Sequence, residues 1–271
     1  MPTMSDEGAD ERREPVEDWF AGGPIDSPAV AWRPTVEPEV LALLRDGEIV
    51  GLELIPWGSN YTFCATIRTG ENECLGVYKP RRGERPLWDF PGGTLYRREY
   101  AAYLVSQAIG WPFIPLTIIR DGPHGVGSMQ LFVEAEPPRS IREIQDPTDL
   151  SLARIAAFDF ITNNADRKAG HILRDAAGKL WGIDQGLCFN VDPKVRTVLI
   201  HYCGEPLPRV VLRELEAFRT DPRRVDGLLQ VLRRGLDADE VDVFLRRVDY
   251  VLERGSFPTI SGRRGVPWPP F

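Results

Sequence analysis

Cysteine, histidine and methionine are scarce in this chain, and each scarcity closes off a class of protein. The 271 residues hold four cysteines, three histidines and three methionines. Cys64, Cys74, Cys188 and Cys203 stand in no CxxC spacing and lie among apolar neighbours. That excludes a disulfide framework or a cysteine-built zinc site, and predicts reduced thiols in a cytoplasmic protein. No uninterrupted apolar run approaches the ~18 residues of a membrane span. The acidic opening MPTMSDEGADERREPVEDW has neither the basic flank nor the apolar centre of a secretory signal, so a soluble, non-secreted chain without membrane insertion is expected. Excess positive charge is missing too. Lys and Arg number 33 against 40 Asp and Glu, a formal net charge of -7, which argues against nucleic acid or an anionic membrane as the main partner. A local basic patch can still hold phosphate.

What is present is the material of an ordinary globular protein. Hydrophobic residues make up 42% and charged residues 27%, enough for a sizeable core, and 24 prolines predict long irregular connections. Residues 1–35, acidic and then Pro-rich, read as a flexible arm. From Glu48 the pattern is strand-like. EIVGLELI, YTFCATIR and CLGVYKP are rich in β-branched and aromatic residues and separated by the turn signals PWGSN and TGENE. GTLYRREYAAYLVSQAIG reads as a helix ending at Gly110, and PLTIIR and VGSMQLFVEA as two further strands. Beyond EPPRS the texture turns helical: TDLSLARIAAFDFITNN, the short strand pair HILRD and KLWGID, then helices near 208–219, 222–234 and 238–253. An α+β chain is therefore expected, with a β-rich part at 36–136, a helical part at 137–255, an irregular tail at 256–271 and a ligand cleft between the two main parts.

Four features follow the order that phosphoryl transfer requires. Gly58, Ser59 and Asn60 form a turn between two strands whose backbone N–H groups can face phosphate oxygens, although such a turn alone is more often only a turn. Lys79 closes an apolar strand, where an ammonium needs an anionic partner unless it reaches out to water. Glu99 shares a largely apolar helix face with Leu95, Ala102 and Tyr103 rather than the Arg97/Arg98 edge, so it calls for a cation; pairing with an arginine of its own helix is the alternative. Finally, Asp166 in the loop NNADRKAG and Asp184 at the end of KLWGID flank a β-hairpin. Two such acids can converge, one positioning a hydroxyl and the other holding a metal ion across phosphate oxygens.

This ordered set resembles the atypical kinases related to phosphatidylinositol 3- and 4-kinases. The DR loop with the following ID-x-G is also similar to secretory Fam20-type and bacterial HipA-type kinases, and YKP followed by REYAAYLVSQAIGWPFIP resembles the Fam20-type KP and E-x-A-A-x-x-L run. The similarity spans about 48–254. It implies a bilobal, protein-kinase-like fold with a β-rich N-lobe and a helical C-lobe, binding ATP with Mg²⁺ or Mn²⁺ in the cleft. Lys79 would then bind the α/β-phosphates and pair with Glu99. Asp166 would be the catalytic-loop aspartate, Asp184 the metal-binding aspartate, and Gln130 to Glu134, Phe132 included, the segment beside adenine. One departure stands out: His171 occupies the position, fifth after Asp166, where the lipid and HipA-type kinases carry a metal-binding Asn. Imidazole suits transition metals better than Mg²⁺.

Three function classes remain open on these residues: a phosphotransferase acting on an unidentified protein or small-molecule hydroxyl, a nucleotide-binding pseudokinase that works through partner docking, and an AMP-transferring enzyme. Lys194, Arg196 and His201, in the segment after Asp184, are candidates to meet an anionic group, or simply belong to a solvated loop.

Overall fold

The structure, a computed structural model, describes residues 37–56, 60–260 and 265–270. The expected arm at 1–35 lies outside the described residues, as do Gly58 and Ser59 of the candidate phosphate turn. The chain is mixed α and β, with an antiparallel sheet and helices. Strands β1 (Glu48–Leu54), β2 (Phe63–Thr69), β3 (Asn72–Pro80), β4 (Thr117–Gly122) and β5 (Gly125–Leu131) form a five-stranded sheet in the order β1-β2-β3-β5-β4. Its register separates two faces. Tyr78 lies opposite Met129, and Met129 opposite Ile118, all fully buried with Ala65 and Ile67. One residue along, Val77 and Lys79 point the other way, opposite Gln130 and Ser128, as the period of two demands.

Helix α1 (Pro38–Asp46) lies against β2, β3 and β4 and buries Leu44. The sequence reading did not anticipate it, although Pro38 at the first turn and the leucines of VLALL are ordinary helix signals. Helix α2 (Leu95–Ile109) ends as expected at Gly110, whose φ of 89° is the left-handed conformation glycine adopts without strain. It is buried nearly all round, which corrects the expectation of an exposed Arg97/Arg98 edge. Arg98 is 1% exposed. Its guanidinium donates to Glu240 Oε1 and to the Cys188 carbonyl, each at 2.7 Å, and lies 5.0 Å from the centre of the Phe90 ring.

Helix α3 (Leu150–Thr162) is capped by Asp149, which accepts from the Ser151 and Leu152 N–H groups. A two-residue strand β6 (Ala135–Glu136), also unanticipated, pairs with β7 (Ile172–Asp175), which pairs with β8 (Leu180–Gly182). Helices α4 (Arg209–Arg219), α5 (Pro222–Leu232) and α6 (Ala238–Arg254) complete the helical part. The four cysteines are free thiols, as expected. Among the described residues no helix is long and apolar enough to cross a membrane.

Candidate functional site

Strand β3 and helix α2 meet at Lys79. Its ammonium pairs with Glu99 Oε1 in a short contact and with Asp184 Oδ1 at 2.9 Å. Glu99 turns its other oxygen to the Gln185 N–H at 2.8 Å, so one helix acid holds both the strand lysine and the backbone just after Asp184. Burial alone would lower the Lys79 pKa, but Asp184 and Glu99 outweigh it and raise it. The Lys79 ammonium in turn holds Asp184 well below the usual carboxylate range, against the opposing effect of burial. Burial pushes Glu99 up, with Lys79 opposing.

Asp184 has φ of 60°, a left-handed conformation that is strained for a residue with a Cβ. Both neighbours are pinned. The Ile183 N–H donates to the His171 carbonyl at 3.0 Å, the Ile183 carbonyl accepts from Arg167 Nη1 at 2.9 Å, and Gln185 is held by Glu99. The Asp184 side chain is 49% exposed.

Asp166 lines the same cleft. Its N–H donates to Asn164 Oδ1 at 3.0 Å and its carboxylate meets Lys168 Nζ at 3.0 Å. Burial raises its pKa, with Lys168 pulling the other way. Beneath the loop sits a network that the sequence reading missed. Arg167 and Asp159 are both fully buried; the guanidinium donates to Asp159 Oδ1 at 3.0 Å and to Gln185 Oε1 at 2.9 Å. Asn164 Nδ2 and Thr197 Oγ1 also donate to Asp159, each at 3.1 Å. The Asp166 loop, helix α3 and the Asp184 segment are thereby tied at one buried point. A signal was available: an acid inside the apolar helix run AAFDFIT needs a buried cation.

His171 stands beside Asp184, with Nε2 to Oδ2 at 3.4 Å. Its Nδ1 accepts the Lys168 N–H at 3.4 Å, which leaves the proton of the neutral ring on Nε2, facing the carboxylate. Burial lowers its pKa to about 4, against the pull of Asp184, so the ring is neutral near pH 7. To ligate an ion together with Asp184 the ring would have to move that proton.

The cleft has a volume of about 600 Å³. Ile55, Val77, Leu131, Leu173 and Ile183 give it apolar walls, and Lys79, Glu99, Asp166 and Asp184 give it charge. Gln130 and Phe132 line it as predicted. Asn60 lines it too, but its Oδ1 accepts the Arg85 N–H at 2.9 Å, so the side chain fastens the turn to the following loop. Next to Arg85, Glu84 accepts the Tyr96 N–H at 2.9 Å, at the start of α2 where the helix dipole favours an anion. The segment after Asp184 is less available than expected. Lys194 is engaged by Asp89 at 3.0 Å and lies 4.9 Å from the centre of the Trp88 ring. His201 packs against Tyr202, and only the Arg196 side chain is exposed.

No protein-family model matches the chain. Protein Rv2133c of Mycobacterium tuberculosis is 37% identical over 273 residues, covering 88% of this chain and 97% of that protein. The chain belongs to the same family as that mycobacterial protein. The relationship establishes kinship, and the chemistry has to come from the residues. Among solved structures, the Helicobacter pylori proinflammatory kinase CtkA is similar at a TM-score of 0.49 and 12% identity, over 78% of this chain and 96% of that one.

Proposed function

We propose that this protein is an ATP-dependent phosphotransferase with a bilobal, phosphatidylinositol-kinase-like fold, the lobes being 36–136 and 137–255. It moves the γ-phosphate of ATP to a hydroxyl of a protein or small molecule. The observation that carries the reading is the double contact of Lys79 with Glu99 and Asp184, in a cleft that also holds Asp166 and has apolar walls on one flank. A strand lysine anchored by a helix acid and poised next to a half-exposed aspartate suits a polyphosphate better than a neutral ligand.

The donor set fits a divalent ion of one kind only. Among the described residues no group of three or more His, Cys, Asp or Glu side chains could hold a metal. An ion here would rest on Asp184, nucleotide phosphates and water, the arrangement Mg²⁺ favours, with His171 next to it. When bound, such an ion neutralises charge across the phosphate oxygens. Lys79 binds the α/β-phosphates. Asp166 orients the acceptor hydroxyl and takes its proton as the oxygen bonds to the γ-phosphorus and the bond to the β–γ bridging oxygen breaks, releasing ADP.

A second reading, a nucleotide-binding pseudokinase, is favoured by the Nε2 proton that His171 turns toward Asp184. Incubation with γ-labelled and with α-labelled ATP, with Mg²⁺ or Mn²⁺, separates the classes. Transfer of label from the γ position only is expected. Label from the α position means AMP transfer, and nucleotide binding without transfer means a pseudokinase.

A further inference from the structure

Gln130 has an amide whose orientation is dictated from behind. Thr117 Oγ1 donates its single proton to the Pro115 carbonyl at 2.9 Å. A carbonyl can only accept, so the hydroxyl has only lone pairs left for a second partner. That partner is Gln130, 2.8 Å away, and it must therefore present Nε2 and not Oε1. Thr117 is fully buried and Gln130 is 7% exposed, so water cannot easily take the place of either group. The Oε1 atom faces away from Thr117. Among the described residues no group hydrogen-bonds to it, and it is not one of the side-chain atoms sealed from solvent without a partner.

The register says where that oxygen looks. Gln130 lies directly opposite Val77 on β3, and Lys79 lies opposite Ser128, on the same sheet face; Val77, Lys79 and Gln130 all line the cleft. Gln130 is thus one cross-strand pair, roughly 7 Å, further along the strand than the lysine. A nucleotide with its phosphates at Lys79 places its base alongside Val77, Gln130 and Leu131. The sugar leaves a purine at N9 and leads back toward the phosphates, so the edge that goes deepest is the six-position edge. Adenine carries an amino donor there, whereas guanine carries a carbonyl acceptor.

We infer that Gln130, held in one orientation by Thr117 and Pro115, is the base-selecting residue of the cleft, accepting from the adenine amino group and rejecting guanine nucleotides. The inference rests on the nucleotide reading of the cleft and adds to it the base, the selecting atom and the relay that fixes that atom. Thr117 is a positioning residue, since it acts only through the amide. Were the amide free to turn, Nε2 could serve guanine O6 as well as Oε1 serves adenine N6, and the selectivity would vanish while binding survived.

The test measures affinities of the full chain for ATP and GTP, each with Mg²⁺, by calorimetry. Wild type is expected to prefer ATP by about ten- to a hundredfold, the usual worth of a good base-edge contact. Thr117→Val should bring the two affinities together while ATP affinity changes only a few-fold, and Thr117→Ser, which keeps the hydroxyl, should preserve the preference. Gln130→Leu should also erase the preference, and it keeps the question answerable if Thr117→Val does not fold. Equal wild-type affinities, or a preference unchanged in both Thr117→Val and Gln130→Leu, would overturn the inference and leave the nucleotide site standing. Wild type that binds neither nucleotide would remove the site and the inference together.

Discussion

Two ion-pair clusters lie on either side of Gln185 and are built to opposite specifications. Above it, Lys79 joins Glu99 and Asp184, and the Asp184 side chain is 49% exposed. Below it, Arg167 joins Asp159 with both side chains at 0% exposure, and both residues are further tied by Asn164, Thr197, Gln185 and the Ile183 carbonyl. The lower cluster has no open side and can only hold shape. The upper one leaves a carboxylate facing the cleft with its charge secured by a lysine, which is what a ligand-facing group requires. Gln185 belongs to both: its backbone N–H serves Glu99 and its side chain serves Arg167. The geometry of the upper cluster is therefore inherited from the lower.

The sharpest break in this comparison is to remove one cation from each. Arg167→Met leaves Asp159 charged and buried without its partner and should cost about 3–5 kcal/mol of stability, read as a shift in urea denaturation. The double variant Arg167→Met/Asp159→Leu should recover much of that loss, because neither charge is then left alone. Lys79→Met should cost less stability, since Asp184 has access to water, but it should abolish nucleotide binding or weaken it strongly. If the two single variants lost equal stability and both still bound ATP, the division of labour would be wrong.

Within the upper cluster the two aspartates should fail differently. Asp184→Asn is expected to lose metal-dependent nucleotide binding while the fold persists. Asp166→Asn should bind as wild type and turn over about 10²–10⁴-fold more slowly. Calorimetry beside a transfer assay distinguishes them, and wild-type transfer in both variants would exclude the phosphotransferase reading.

The contrast also explains what could be read from the sequence. Lys79, Glu99, Asp166 and Asp184 declare themselves one at a time, because each charge interrupts an apolar run or follows a strand. Their convergence then follows from strand, helix and hairpin order alone. The structure brings Lys79, Glu99 and Asp184 into contact and sets Asp166 on the same cleft wall. The lower cluster could not be paired that way. Asp159 and Arg167 are eight residues apart across a helix end where Asn163 turns left-handed at φ 57°, so no helical spacing links them. Arg98 is the same case at longer range: Glu240, its partner, sits at the start of α6. Looking only along its own helix made it a surface edge. Strand β6 has two residues and no pattern to read.

A smaller effect is expected at His171. Because Nε2 carries the proton toward Asp184, the ring serves that carboxylate as a hydrogen-bond donor. His171→Asn, which also offers a donor, should leave the ratio of Mg²⁺- to Mn²⁺-supported activity close to wild type. A marked rise in that ratio would show instead that the imidazole faces the ion and biases the site toward Mn²⁺.

The finest adjustment lies at Asp166, the one cleft acid whose cation is its own loop neighbour. Burial raises its pKa and Lys168 lowers it, and both side chains keep partial access to water, at 28% and 24% exposure, so the pair tunes the acid without fixing it. A base must be ionised to take the hydroxyl proton, so turnover falls as pH drops through the Asp166 pKa. Removing the lysine removes the effect that lowers that pKa while the burial that raises it remains. In Lys168→Met the acidic limb of the pH–rate profile should therefore move to higher pH, with turnover at high pH little changed and nucleotide affinity intact. A limb that stayed in place would mean that another group titrates there, and one that moved to lower pH would show that Lys168 does not stabilise the ionised acid.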